Sequence, residues 1–174
     1  MRAAAFCTYL AAWLTFALAA AHQAIARLGQ KQPIHLHAPL VIGTLLQFAG
    51  ALAITFSIET GKLNPPLPHL VAVLVLAPAA AALFLFTLRS QGPGLVTTGA
   101  YAHLRHPLYL AFLLMLLATG LLVTAWPKIA AAALLYLAGS ELRLATEEQE
   151  LLQSFPAYAL YQKRTRYRYL PGIR

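Results

Sequence analysis

The chain has 174 residues, 60% hydrophobic and only 10% charged, with a formal net charge of +8. A soluble domain carries about 25% charged residues, so this composition excludes an ordinary soluble enzyme and places the chain in the membrane class. A single cysteine, Cys7, excludes a disulfide framework and a cysteine-based metal site, and reads as a small apolar side chain in a helix.

A membrane-crossing helix needs roughly 20 mostly apolar residues. Five segments approach that length: Ala3–Ala21, Pro39–Ile58, Leu67–Leu88, Leu108–Thr124 and Trp126–Gly139. The first has the basic start of a secretory leader, but its apolar run of about 19 residues exceeds the usual ~7–15 of a leader core, so a retained helix is expected. Histidines at 22, 35, 37 and 69 are scattered. The "HLH" at 35–37 lacks a nearby carboxylate to complete a metal site, and no metal is expected. Little separates the fourth and fifth segments, and Pro127 suits the first turn of a new helix, which predicts a tight helical hairpin. The stretch "SELRLATEEQELLQSF" has good helix formers and no proline before Pro156, so the last helix can run from the bilayer into water. The expectation is an all-α integral-membrane protein forming one domain over 1–174, with about five transmembrane helices and a cytoplasmic C-terminal helical extension.

Basic residues set the orientation. With the C-terminus inside, the inner side holds Arg27, Lys31, Arg89, Arg105, Arg143, Lys163, Arg164, Arg166, Arg168 and Arg174, and the outer side holds Arg2, Lys62 and Lys128. Ten against three is a positive-inside bias, which favours five spans over four or six. The same distribution fits topology and anionic lipid head groups better than a nucleic-acid face, so no nucleic-acid partner is expected. The tail mixes Tyr158, Tyr161, Tyr167 and Tyr169 with Lys163, Arg164, Arg166 and Arg168, a pattern that suits single strands as well as lipid. Beside a membrane, the lipid surface is favoured.

Three places hold candidate chemistry. The loop "RSQGPGLVTTGAYAHLRHP" carries Gly92, Gly94 and Gly99, whose backbone can approach a ligand closely. No GxGxxG follows a strand, which excludes a Rossmann cofactor site. Next, Tyr101, Arg105, His106, Pro107 and Tyr109 crowd the start of an apolar helix. Pro107 favours a helix start, whose free amides attract an anion; an interfacial anchor explains the same residues equally well. Finally, Arg143, Glu147 and Glu150 share one helical face, and Glu141 and Glu148 another. Four of the five acidic residues lie within 141–150, next to the membrane surface of an otherwise basic protein.

Together these stretches carry a resemblance. The block Leu95, Val96, Thr97, Gly99, Tyr101, Arg105, His106, Pro107 and Tyr109, followed by a hairpin and then by Arg143, Glu147, Glu148, Leu151, Phe155, Tyr158, Tyr161, Arg168 and Pro171, resembles the isoprenylcysteine carboxyl methyltransferase family and its phospholipid methyltransferase relatives. The resemblance spans about residues 89–171. Ala100 stands where the family pattern has Pro and Pro156 where it has Gly, departures that touch loop and helix-end geometry more than chemistry.

The resemblance implies an integral-membrane enzyme using S-adenosylmethionine. It implies that the backbone of Pro93, Gly94, Leu95 and Val96, with Tyr101, Arg105, His106, Pro107 and Tyr109, lines the cofactor pocket. Glu147 would close that pocket and Arg143 would face the acceptor. The chemistry is compatible: helix amides and Arg105 suit the cofactor's carboxylate, and Glu147, Glu148 and tyrosine faces suit its cationic centres. An isoprenylcysteine-like carboxylate would need little general base, with Arg143 positioning it. A phospholipid or small amine would need one, with Glu148 or His106 as candidates. A non-enzymatic membrane subunit is the remaining alternative. The expected partners are a lipophilic small-molecule or lipid substrate and membrane lipids. The Ala- and Leu-rich character points to a bacterial inner membrane, with the site on its cytoplasmic side.

Overall fold

The computed structural model describes residues 1–28, 64–92, 94–124, 126–170 and 172, together with Ile42, Gly43, Leu45, Leu46 and Ala49. Among these residues the fold is all α-helical, with no strand. Five helices follow in order: α1 (Arg2–Leu28), α2 (Leu67–Arg89), α3 (Pro107–Val123), α4 (Trp126–Ser154) and α5 (Tyr158–Arg164). A short 3₁₀ turn, Gly99–Ala102, precedes α3. Among the described residues three stretches are long and apolar enough to cross a membrane: Arg2–Ala19, Leu67–Arg89 and Trp126–Ser154. Helix α3 is also apolar and has 17 residues, near the lower limit for a span. The predicted segment Pro39–Ile58 lies outside the described residues apart from Ile42, Gly43, Leu45, Leu46 and Ala49, which are helical. Also outside them are the "HLH" at 35–37, Pro93 and Pro171.

Helices α1, α2 and α3 pack side by side. Ala5, Tyr9, Ala12 and Phe16 form the buried stripe of α1, at helical spacing. It meets Leu70, Val73, Ala77, Ala80 and Phe84 of α2, and Ala111, Met115, Ala118 and Leu122 of α3 complete the core. Lipid tails are as apolar as these side chains, so burial from water does not drive this contact; close van der Waals packing does, and small residues permit it. Phe16 stacks on Phe84 at 4.1 Å between ring centroids, and Phe112 meets both edge-on. Outside the bundle, Leu14, Leu18, Val75 and Leu134 are exposed, as a lipid-facing surface requires.

The predicted hairpin forms between α3 and α4. Thr124 caps α3 in the left-handed region with φ 53°, turning the chain. Gly120 brings the two helices together: a Cβ there would lie 2.8 Å from Ile129 Cγ2. Helix α4 then runs unbroken for 29 residues, as the sequence predicts, and ends before Pro156. At about 43 Å it exceeds the hydrocarbon thickness of about 30 Å, so its polar end projects beyond the apolar layer. Gly43 touches α4 at the start of its charged end; a Cβ on it would meet Arg143 Cγ and the Gly139 carbonyl, each at 2.6 Å.

Candidate active site

Three pieces of chain converge at the polar end of the bundle: the loop into α3, the end of α4, and the tail after α5. Pro107 starts α3, and the residue before a proline is pushed toward extended backbone. His106 is accordingly non-helical, with φ −134° and ψ 65°. The Arg105 and His106 amides are therefore free to bond outside the helix. They donate to the Tyr167 carbonyl at 3.0 Å and the Arg168 carbonyl at 2.8 Å, which lays the tail along this stretch. Tyr169 plugs in beyond, 2% exposed, among Tyr109, Tyr136 and Leu144.

Glu148, also buried, is the hub. Its Oε1 accepts from Arg105 Nε at 2.8 Å and lies 3.2 Å from His106 Nε2. Its Oε2 accepts from Arg168 Nη2 at 3.1 Å. Arg105 Nη1 donates to the Thr165 and Arg166 carbonyls, which leaves Nη2 as the part of the guanidinium outside these contacts. Arg168 also donates to Glu141, which Tyr169 reaches at 2.8 Å. Glu141 and Glu148, predicted to share a face, are thus bridged by one tail arginine.

Glu147 has a different surrounding. Its Oε1 accepts from the Tyr109 hydroxyl at 2.9 Å and from Arg143 Nη2 at 3.0 Å, and its Oε2 is 3.7 Å from His106 Nδ1. The Arg143 guanidinium carbon lies 5.8 Å from the centre of the Tyr109 ring, within cation–π range. The Tyr136 hydroxyl donates to the Tyr109 carbonyl and fixes the first turn of α3.

A cavity of about 520 Å³ opens beside Glu147, a size typical of small-molecule sites. Of the predicted residues, Gly94, Leu95, Val96, Tyr101, Arg105, His106 and Glu147 line it. Pro107, Tyr109, Arg143 and Glu148 stand behind that wall and do not line it. Pro107 is fully buried, and its part is to start α3. The lining also includes Gln91, Ser154, Tyr158 and Tyr161, which the sequence reading did not single out as site residues, and Glu150, which it placed on the Glu147 face without a role. Glu150 was legible, because it lies on the Glu147 face one turn on. Gly94 holds φ +84°, a conformation that favours glycine at the cavity rim.

Part of the tail departs from its predicted role. Tyr158, Tyr161 and Tyr169 are buried and Arg168 is ion-paired, so these four do not lie on lipid head groups. Burial pushes the Tyr161 hydroxyl up to about 12 against the opposing charge of Arg105, so it stays a neutral donor and holds the Tyr101 carbonyl at 2.6 Å. Burial likewise raises Tyr158 and Tyr169.

Residues 69–153 match the family model of the isoprenylcysteine carboxyl methyltransferase (ICMT) family. That segment runs from the first turn of α2 almost to the end of α4 and contains the cavity's loop, Arg105, His106, Glu147 and Glu150. No curated protein matches the chain.

Proposed function

We propose, from the match of residues 69–153 to the isoprenylcysteine carboxyl methyltransferase family, that the chain is a membrane methyltransferase that transfers the methyl group of S-adenosylmethionine to a lipophilic acceptor, with the cofactor in the cavity between the loop before α3 and helix α4. The observation that carries this reading is the lining itself: Glu147 and Glu150 on one wall, Arg105 and His106 on another, and a glycine-bearing loop between them. Paired carboxylates suit a ligand with an ammonium and a sulfonium, and the cationic wall suits its carboxylate. When bound, the cofactor supplies an electrophilic methyl carbon.

The chain's own residues align the partners. Glu147 faces the cofactor, while Tyr109 and Arg143 hold its Oε1 and fix its direction. Arg143, behind Glu147 and against Gly43, is placed to grip the acceptor. An isoprenylcysteine-like carboxylate is the acceptor favoured by that guanidinium. It is ionised at neutral pH and needs orientation rather than deprotonation. Glu148, on sequence grounds a candidate catalytic base for an amine acceptor, takes a holding role in this reading, since a carboxylate gripped by two guanidinium groups is a weak proton acceptor. An amine acceptor, such as a phospholipid head group, remains the second reading. His106 favours it: the imidazole lies on the cavity wall, with Nε2 against Glu148 and Nδ1 3.7 Å from Glu147 Oε2, so a proton taken from an amine could pass to the carboxylates behind it. The basic residues placed on the inner side support a site on the cytoplasmic face of the membrane.

The test is calorimetry of the purified protein in detergent with S-adenosylmethionine, followed by incubation with methyl-labelled cofactor and a membrane-lipid extract. Saturable cofactor binding and a labelled lipophilic product are expected. Absence of cofactor binding to the folded protein would refute the proposal.

A further inference from the structure

The tail has two faces, and the site uses one. Tyr158 and Tyr161 anchor the inner face of α5, and Thr165 is buried beside them. On the outer face, Leu160, Lys163 and Arg164 follow at i, i+3 and i+4, so they share one side of the helix. Leu160 is 72% exposed, and Arg166 and the 43% exposed Tyr167 continue the surface. Among the described residues no carboxylate pairs with Lys163, Arg164 or Arg166, whereas Arg168 is ion-paired to Glu141 and Glu148. An exposed leucine and tyrosine set among three unpaired cations is a surface awaiting something anionic with an apolar layer beneath it.

The height of this surface is fixed by contacts. Tyr161 donates to the Tyr101 carbonyl at 2.6 Å, and Thr165 Oγ1 to the Ala102 carbonyl at 3.4 Å. Both acceptors lie in the turn just before Pro107, where the all-apolar α3 begins. The tail is therefore strapped to the chain beside the first residues of the apolar helix, where an interface with lipid head groups is expected.

We propose that Leu160, Lys163, Arg164, Arg166 and Tyr167 form a docking surface for the anionic lipid head groups of the bilayer the protein spans. The cations meet lipid phosphates while Leu160 and Tyr167 enter the interfacial layer. This inference stands apart from the identity of the cofactor, because its readout involves no methyl transfer.

The full chain carrying Cys7→Ala and Leu160→Cys, labelled with an environment-sensitive fluorophore, is reconstituted in phosphatidylcholine vesicles with or without phosphatidylglycerol. A blue shift of the probe is expected only with the anionic lipid. It should vanish near 1 M salt, where the screening length falls to about 3 Å. Adding Lys163→Gln, Arg164→Gln and Arg166→Gln should weaken the lipid response roughly fivefold per cation removed, with an unchanged melting temperature showing that the fold is intact. An equal shift in both vesicle types, or a triple variant that responds like its parent, overturns the proposal. So does a shift produced by a single-stranded oligonucleotide and not by anionic vesicles, which assigns the surface to nucleic acid.

Discussion

The apolar bundle and the polar layer above it are built from the same helices but held by opposite means. In the bundle, Ala5, Ala12, Ala77, Ala80, Ala111 and Ala118 let helices approach, and Phe16, Phe84 and Phe112 fill the space between them. Each contact there is weak and replaceable, since lipid offers nearly the same environment. In the polar layer a single carboxylate, Glu148, meets Arg105, His106 and Arg168 together. Removing one charge from such a set strands the others. Packing errors in the bundle should therefore be graded, and charge errors in the layer should be abrupt.

The largest effect tests that abruptness. Glu148→Ala should destabilise the folded protein by about 3–5 kcal/mol, because it leaves the buried Arg105 without its carboxylate and Arg168 with Glu141 alone; thermal unfolding in detergent measures it. A cost near that of an ordinary surface change would erase the distinction between the regions. Next comes Glu147→Gln, which removes a charge from the cavity wall. Cofactor affinity should fall by about 1.5–3 kcal/mol, the scale of a charged hydrogen bond. Arg143→Lys should keep cofactor affinity and lose turnover, since a point charge cannot reproduce the guanidinium's planar grip. Calorimetry beside turnover separates the two, and equal loss of cofactor in both would place Arg143 in the cofactor site.

In the bundle, Gly120→Ala drives a methyl group into Ile129 and should cost about 1–3 kcal/mol. Restoring room with Ile129→Val should recover part of it in the same melt; no recovery would locate the cost elsewhere. The smallest effect concerns the Tyr9–Thr119 hydrogen bond of 2.9 Å, which crosses the bundle. Tyr9→Phe should cost only about 0.6 kcal/mol, the average for such bonds between membrane helices. A loss as large as that of Glu148→Ala would show the bundle to be governed by polar contacts as well.

Local pattern made part of this legible. The start of α3 followed from Pro107, the unbroken run of α4 from helix formers with no proline before Pro156, and the Arg143–Glu147 pair from their one-turn spacing. The site's loop, Arg105 and His106 were recognisable by type and spacing, and they do share a cavity with Glu147. The tail was not legible in the same way. Arg166 and Arg168 look equivalent in "KRTRYRYLP", yet one is exposed and the other bridges Glu141 and Glu148. What separates them is tertiary: the Arg105 and His106 amides grip the tail backbone and Tyr169 fills a pocket among Tyr109, Tyr136 and Leu144. No periodicity within a short extended segment encodes a partner 60 residues earlier. The same limit hid Tyr158 and Tyr161, whose neighbours are set by where α5 folds back.

Helix α4 carries Trp126 at one end and the Arg143–Glu150 face at the other without a break. No interior proline interrupts its hydrogen-bond ladder, so the placement of one end is carried to the other. The charged end forms one wall of the cavity. The depth at which the apolar end settles among lipid chains therefore sets the height of that wall, through a single unbroken element.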